Sequence, residues 1–129
     1  MFNDPLSLAG KTPAGSLTLP RINIDAGLGE FSKFSPDISA KLQVKHSSYK
    51  AKGATSATNR HTLLLEKGTR VASAVSSDGY LHIPYKVYMV IEHDSNAILN
   101  DLAEVVANVT NFFPTDSTAN LEKLMNGEV

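Results

Sequence analysis

The sequence predicts an α+β fold in which an antiparallel meander of about six strands precedes two C-terminal α-helices. Three observations favour this class. Polar and apolar residues alternate with a period of two as far as residue 93, apolar residues then recur every three or four positions, and 129 residues with 42% hydrophobic content suit one core. We therefore expect one domain over residues 1–129, with a β-sheet region over 1–93 and a two-helix dimerisation region over 94–126.

The N-terminal third is rich in Gly, Pro and Ser, which predicts short extended pieces joined by turns. Short strands are expected at Ser16–Pro20 and Arg21–Asp25, with a turn at Ala26–Gly29. Pro20 has no amide hydrogen to donate to a sheet, so we place it at a sheet edge or a bend.

Two amphipathic strands form the predicted centre of the sheet. The first is Ser39–Tyr49, and its apolar face carries Ala40, Leu42, Val44 and His46. After a polar loop at 50–56, Arg60–Glu66 alternates again, and the two strands are expected to pair as a hairpin. A further short strand is expected at Arg70–Val75, followed by a turn at Ser76–Gly79.

The last strand of the predicted sheet is Tyr80–His93. Its core side carries Tyr85, Val87, Met89 and Ile91. Its opposite side carries Lys86, Tyr88, Val90 and Glu92. Pro84 predicts a bulge or an unpaired start, because a proline in a central strand removes one hydrogen bond of the ladder.

Two helices follow in the prediction. A long helix over Asp94–Phe113 is indicated by apolar spacings of three and four, with Asp94 or Ser95 as its cap and Pro114 preventing its continuation. The second, shorter helix is expected to end before Gly127. Its expected cap is one of Thr115, Asp116 and Ser117, and its expected buried side carries Leu121, Leu124 and Met125.

The apolar arc of the long helix is too wide for packing on one side only, which predicts a homodimer. Two protomers joined edge to edge would extend one sheet, and each helix would pack on the partner. The residues expected at this dimer interface are Ile98, Leu102, Val105, Val109, Phe112 and Phe113.

Charge is distributed unevenly along the chain. Residues 41–86 hold eight bases against two acids, and residues 87–129 hold one base against seven acids, although the net charge is only -1. The basic, alternating segment predicts a polyanionic partner, with nucleic acid as the main candidate. The absence of Cys excludes disulfides, thiol nucleophiles and cysteine-ligated zinc. Without an apolar run long enough to span a bilayer or a secretory signal, we expect a cytosolic origin and no membrane partner.

Four segments carry a family resemblance: Arg21–Asp25, Ala40–His46, Asn59–His61 and Lys86–His93. Their order and spacing, ahead of the predicted long helix, resemble the coat proteins of single-stranded RNA bacteriophages of the levivirus type. The resemblance implies an intertwined homodimer with one continuous sheet and outer helices, assembled in the bacterial cytoplasm into an icosahedral virion shell. It also implies an inner surface that packages single-stranded genomic RNA and binds a stem-loop operator to repress translation of the replicase. The small residues at 72–77 would let that loop adopt more than one conformation in the shell.

Carried onto this sequence, the RNA-binding face comprises Lys41, Gln43, Lys45, Ser47, Arg60, Thr62, Lys86 and Tyr88. The cationic residues would contact phosphates. Tyr88 would stack on an unpaired base, an interaction worth about 1–3 kcal/mol, although an exposed tyrosine on a strand also serves simply as a cross-strand neighbour. Leu64 departs from a uniformly polar face.

The alternative is a small dimeric α+β enzyme or ligand-binding protein with a pocket between sheet and helices. His46 or His61 would be its acid–base group. Because both lie on the apolar face, buried and hydrogen-bonded histidines are favoured over a catalytic pair. At Glu92-His93-Asp94, neighbouring side chains on a strand point to opposite faces, so helix capping is favoured over metal binding. We predict no catalytic residues, no metal site and no cofactor.

Overall fold

The computed structural model describes residues 2–10, 15–25, 27–75, 77–114 and 119–128, and the chain forms two compact units, 1–92 and 93–129. The strands among these residues are β1 (Leu6–Leu8), β2 (Leu17–Leu19), β3 (Arg21–Asp25), β4 (Leu28–Phe34), β5 (Ile38–Tyr49), β6 (Thr58–Ala72) and β7 (Tyr80–Asp94). The helices are α1 (Leu99–Phe112) and α2 (Ala119–Met125). Antiparallel strands followed by two helices confirm the predicted α+β class.

The strands form a two-stranded hairpin, β1-β2, and a five-stranded sheet in the sequential order β3-β4-β5-β6-β7. The described residues therefore hold seven strands where about six were expected, because β1 and β4 were not predicted. The prediction of a separate strand at Arg70–Val75 was wrong, because β6 continues through Arg70 to Ala72. The whole length of β5 is paired with β6. Pro84 lies in β7, at the end of the strand order, where a proline is tolerated.

Strand β4 supplies the centre of the core even though its sequence, LGEFSKF, contains glycine, serine and two charged residues. It pairs with β5 in continuous register from Leu28 opposite Lys45 to Phe34 opposite Ser39. Gly27 precedes it with φ +77°, and the Gly27 carbonyl accepts a hydrogen bond from the His46 amide at 2.7 Å. A β-carbon at position 27 would lie 2.9 Å from the His46 carbonyl oxygen, so both the backbone angle and the space favour glycine there.

The core lies on one face of the five-stranded sheet. Its buried members are Leu19, Phe31, Ala40, Leu42 and Val44. Phe31 is only 2% exposed and lies opposite Leu42 in the β4–β5 ladder. The hairpin covers this face with partly buried leucines, and Leu65 packs against it from β6. The even-numbered residues of β5, which the alternation assigned to the apolar face, thus form its centre.

The connection between β6 and β7 spans residues 73–79 and contains the expected turn, of which residue 76 lies outside the described residues. The Ser73 amide donates to the Gly79 carbonyl at 2.9 Å, and Gly79 has φ +77°. The Asp78 carboxylate accepts a hydrogen bond from the Tyr80 amide at 3.1 Å. The Arg70 guanidinium lies 3.5 Å from the centroid of the Tyr80 ring, so a cation–π contact joins the end of β6 to the start of β7.

Helix α1 begins later than predicted, and neither Asp94 nor Ser95 caps it. Its N-cap is Ile98, which has extended backbone angles and makes no side-chain capping bond. The reason is that β7 continues through Asp94, whose carboxylate instead accepts a hydrogen bond from the Asn96 amide at 2.8 Å. No helix among the described residues combines the length and hydropathy needed to cross a bilayer.

Helix α2 confirms the predicted second helix and its end. The Glu128 amide donates to the Lys123 carbonyl at 3.0 Å, and Gly127 takes φ +75°, which is the expected left-handed helix end. The prediction that Leu121, Leu124 and Met125 are buried is wrong for the single chain, where all three are exposed to solvent. The expected caps Thr115, Asp116 and Ser117 lie outside the described residues.

Candidate nucleic-acid interface

The sheet register brings the predicted RNA-binding residues of β5 and β6 to one face. Lys45 lies opposite Thr62, and Ser47 lies opposite Arg60. Because alternate residues of a strand share a face, Lys41, Gln43, Lys45 and Ser47 all lie on the side opposite the core. Arg60 and Thr62 lie on the same side, because paired residues of neighbouring strands share a face of the sheet. We call this side of the five-stranded sheet the polar face.

Two ion pairs place β7 on the same surface. Lys86 Nζ lies 2.8 Å from Glu66 Oε1, and Arg60 Nε lies 3.6 Å from Glu92 Oε1. Cross-strand side chains this close must lie on one face of the sheet, so the even-numbered residues of β7 belong to the polar face. Tyr88, between Lys86 and Glu92, therefore joins it with its side chain 62% exposed. All eight predicted residues thus share one surface.

The polar face is less positive than the sequence suggested. Each of three cations is paired with a carboxylate from a neighbouring strand: Lys41 with Glu30 at 3.1 Å, and the two pairs involving β7. Within the described part of the chain, Lys45 makes no ion pair. The other bases of the sequence island are not among the eight predicted residues. Arg70 is an even-numbered residue of β6 and so lies on the polar face, where it contacts the Tyr80 ring. Lys50 and Lys52 are in the β5–β6 loop, and Lys67 is on the core side because it lies opposite Ala40.

Glu30 is the functional candidate that the sequence reasoning missed. Its carboxylate accepts a hydrogen bond from the Gln43 amide group and contacts Lys41. The hydrogen bond from Gln43, together with that from Lys41, lowers the pKa of Glu30 below its ordinary value of 4.5. Glu30 comes from β4, which was not predicted, although the alternation of the polar Glu30 and Ser32 with the apolar Phe31 was a usable signal.

Glu66 and Glu92 were placed on this face by the alternation, but their pairing with cations was not anticipated. The hydrogen bond and charge of Glu66 raise the pKa of Lys86, which keeps that ammonium protonated. Leu64, opposite Gln43, is an apolar position among these charges, and it lies between the row of Lys41 and the row of Lys45. The polar face therefore carries three cross-strand ion pairs and an exposed tyrosine.

On the core side, the two predicted histidines form a direct pair. His46 lies opposite His61, and their Nδ1 atoms are 2.8 Å apart. The expected hydrogen bonding is confirmed, but the expected burial is wrong for the single chain: His46 is exposed and His61 is half-buried. The reason is that the hairpin covers Ala40 to Val44 and leaves this end of β5 open. His93 Nδ1 lies 2.7 Å from the Asp94 carbonyl oxygen, and among the described residues no three acids or histidines cluster as metal ligands would.

The residues predicted for the dimer interface lie on or beside α1. Ile98 precedes the helix, Phe113 follows it, and the other four lie within it. None of the residues of α1 is buried in the single chain. Phe112 and Phe113 pack edge to face with ring centroids 5.6 Å apart.

A family model and several solved structures match the chain. A sequence model of the family described as "Phage phiCb5, coat protein" matches residues 3–94. No curated protein sequence matches the chain.

Solved structures of virus-like particles share the fold. The chain from Beihai levi-like virus 21 is 14% identical with a TM-score of 0.67, covering 96% of this chain and 93% of that one. The chain from bacteriophage ESE058 is also 14% identical with a TM-score of 0.67, covering 95% of this chain and 96% of that one. The chain from bacteriophage GQ-112 is 13% identical with a TM-score of 0.62, covering 98% and 90%. The resemblance inferred from the sequence is confirmed, and the chain belongs to the coat-protein family of phage phiCb5.

Proposed function

We propose that this coat protein is a structural capsid subunit without catalytic activity, which assembles as homodimers into an icosahedral shell around single-stranded RNA. The observation that carries the proposal is the polar face, where cations, hydrogen-bonding groups and the exposed Tyr88 share one surface on the side opposite the core. Such a face offers phosphate contacts and a stacking ring to unpaired bases. Binding of an RNA stem-loop by this face would also repress translation of the replicase.

Exposed apolar surface supports the homodimer. On the core side of β7, Tyr85 and Val87 are exposed in the single chain, and so are Val105 and Val109 of α1. Exposed apolar surface of this kind is typical of an interaction site. β7 is also the last strand in the sheet order, so its outer edge is available to pair with a second copy. A twofold pair would extend the sheet through β7 and cover both apolar surfaces.

Purification from a bacterial host tests the capsid proposal. We expect the protein to elute as a particle, to show ultraviolet absorbance dominated by RNA, and to form closed spherical shells in electron micrographs. Nuclease treatment before and after disassembly would separate packaged RNA from RNA bound outside. A dimer free of nucleic acid that forms no shells when RNA is added would contradict the proposal.

Translational repression needs a separate assay. The sequence around the start of the replicase gene, placed upstream of a reporter, would be expressed with and without the coat protein. We expect reduced reporter synthesis that is restored when the stem is disrupted. Unchanged synthesis would remove the repressor role and leave the packaging role in place.

A further inference from the structure

The carboxylates of the polar face are arranged regularly. Each comes from a strand adjacent to that of its cation: Glu30 on β4 contacts Lys41 on β5, and Glu66 on β6 contacts Lys86 on β7. Glu92 on β7 contacts Arg60 on β6. Because β-sheet pairing fixes the neighbouring strands, these contacts are set by the register of the sheet and do not depend on chance meetings of flexible side chains.

These contacts compete with RNA for the same cations. A phosphate that approaches Lys86 must share its ammonium with the Glu66 carboxylate, which itself repels the phosphate. The same holds at Lys41 and Arg60, whereas Lys45 makes no ion pair within the described residues. A surface that bound RNA only by attracting its phosphates would lack these carboxylates.

We propose that Glu30, Glu66 and Glu92 are specificity-determining residues that suppress binding of arbitrary single-stranded RNA. This inference rests on the proposed function. In the RNA-free protein they hold three of the four cations predicted to bind RNA, namely Lys41, Arg60 and Lys86. Lys45 remains to attract any RNA backbone.

An RNA that places hydrogen-bond donors beside these carboxylates compensates for the displaced ion pairs. The donors that unpaired RNA presents are the amino groups of adenine, cytosine and guanine, the imino groups of guanine and uracil, and the 2′-hydroxyl. The favoured ligand is therefore an RNA whose unpaired, amino-bearing bases face the glutamates while its phosphates reach the cations. A chain of uridines offers fewer such donors and is the appropriate probe for arbitrary binding.

The test is Glu66→Gln, measured with a 20-nucleotide oligouridine on RNA-free dimers at several salt concentrations. Loss of the carboxylate frees Lys86, so we expect oligouridine to bind about two- to fivefold more tightly, which is the range for one exposed ion pair. The slope of log K against log salt should steepen by about 0.7, because one more phosphate contact releases its counterion. Glu92→Gln should act in the same way and serves if Glu66→Gln fails to fold.

The matched control is Glu104→Gln, an equal change of charge on α1, outside the five-stranded sheet. It should leave both affinity and salt slope unchanged. If Glu104→Gln tightens binding as much as Glu66→Gln, the effect is one of net charge and the inference is wrong. If the wild type binds oligouridine in a salt-dependent manner but Glu66→Gln and Glu92→Gln do not tighten it, the inference fails while the proposed function stands. If the wild type binds neither oligouridine nor mixed-sequence RNA, the proposed function fails with it.

Discussion

Val87 offers a direct test of whether a second copy covers the apolar side of β7. The side chain lies on the core side of the strand, yet it is 63% exposed in the single chain. The perturbation is Val87→Ala. Its matched control is Val90→Ala, the same change in the same strand, on the polar face and 45% exposed. Both variants lose the same strand propensity, so the difference between their effects on association shows which face of β7 is covered by a partner.

The expected magnitude follows from the exposure. Truncating valine to alanine removes two carbons, worth about 1.6 kcal/mol when fully buried at about 0.8 kcal/mol each. Because 63% of the side chain is exposed in the single chain, about 1 kcal/mol of this is available only to a partner. Two protomers contribute, so dimer association should weaken by about 2 kcal/mol, which raises the dissociation constant about thirtyfold.

The assay is sedimentation equilibrium of RNA-free protein, with urea unfolding at several protein concentrations. For Val87→Ala we expect weaker association and a lower unfolding midpoint than the wild type at each protein concentration. Val90→Ala should leave association within about twofold of wild type. If the two substitutions weaken association equally, or if Val87→Ala has no effect, the proposal that a second copy covers the apolar side of β7 is refuted.

Four further outcomes are expected. Leu42→Ala, at the centre of the core, should lower the free energy of unfolding by about 2–5 kcal/mol in urea titrations, and a loss under 1 kcal/mol would contradict its burial. Gly27→Ala should cost about 1–2 kcal/mol in the same titrations, because an L residue is strained at φ +77°. Lys45→Glu should weaken RNA binding and reduce its salt slope relative to Lys123→Glu on α2, and equal slopes would remove Lys45 from the site. The lowered pKa of Glu30 implies stability that is fully present above its ordinary value of 4.5 and is lost as pH falls through the lower folded value, so Glu30→Gln should flatten that acid-side decline in unfolding experiments.

The sequence was most informative where one periodicity extended over many residues. Alternation along β5 identified Ala40, Leu42 and Val44 as core and set the lysines on the other side, as the register confirms. The helical spacing after residue 94 identified α1, and the glycine at 127 identified the end of α2. Boundaries were less certain: Asp94 has the chemistry of a helix cap, but β7 extends through it and its carboxylate closes a turn instead.

The largest omission was β4. Its glycine, serine and charged residues have low intrinsic strand preference, and pairing with β5 outweighs that preference. Because β4 was not predicted, neither Phe31 as the buried centre of the core nor Glu30 as the partner of Lys41 was identified.

By itself, the sequence determined the α+β class, the two faces of the central strands, the set of polar residues on one of them and the resemblance to coat proteins. These follow from local spacing and from the order of motifs along the chain. Only the tertiary structure decided how charge is balanced on the polar face, because ion pairs between β4 and β5 and between β6 and β7 depend on strand register. A basic segment in the sequence thus becomes, in the folded sheet, a surface in which three of the four cations predicted to bind RNA already have a carboxylate partner.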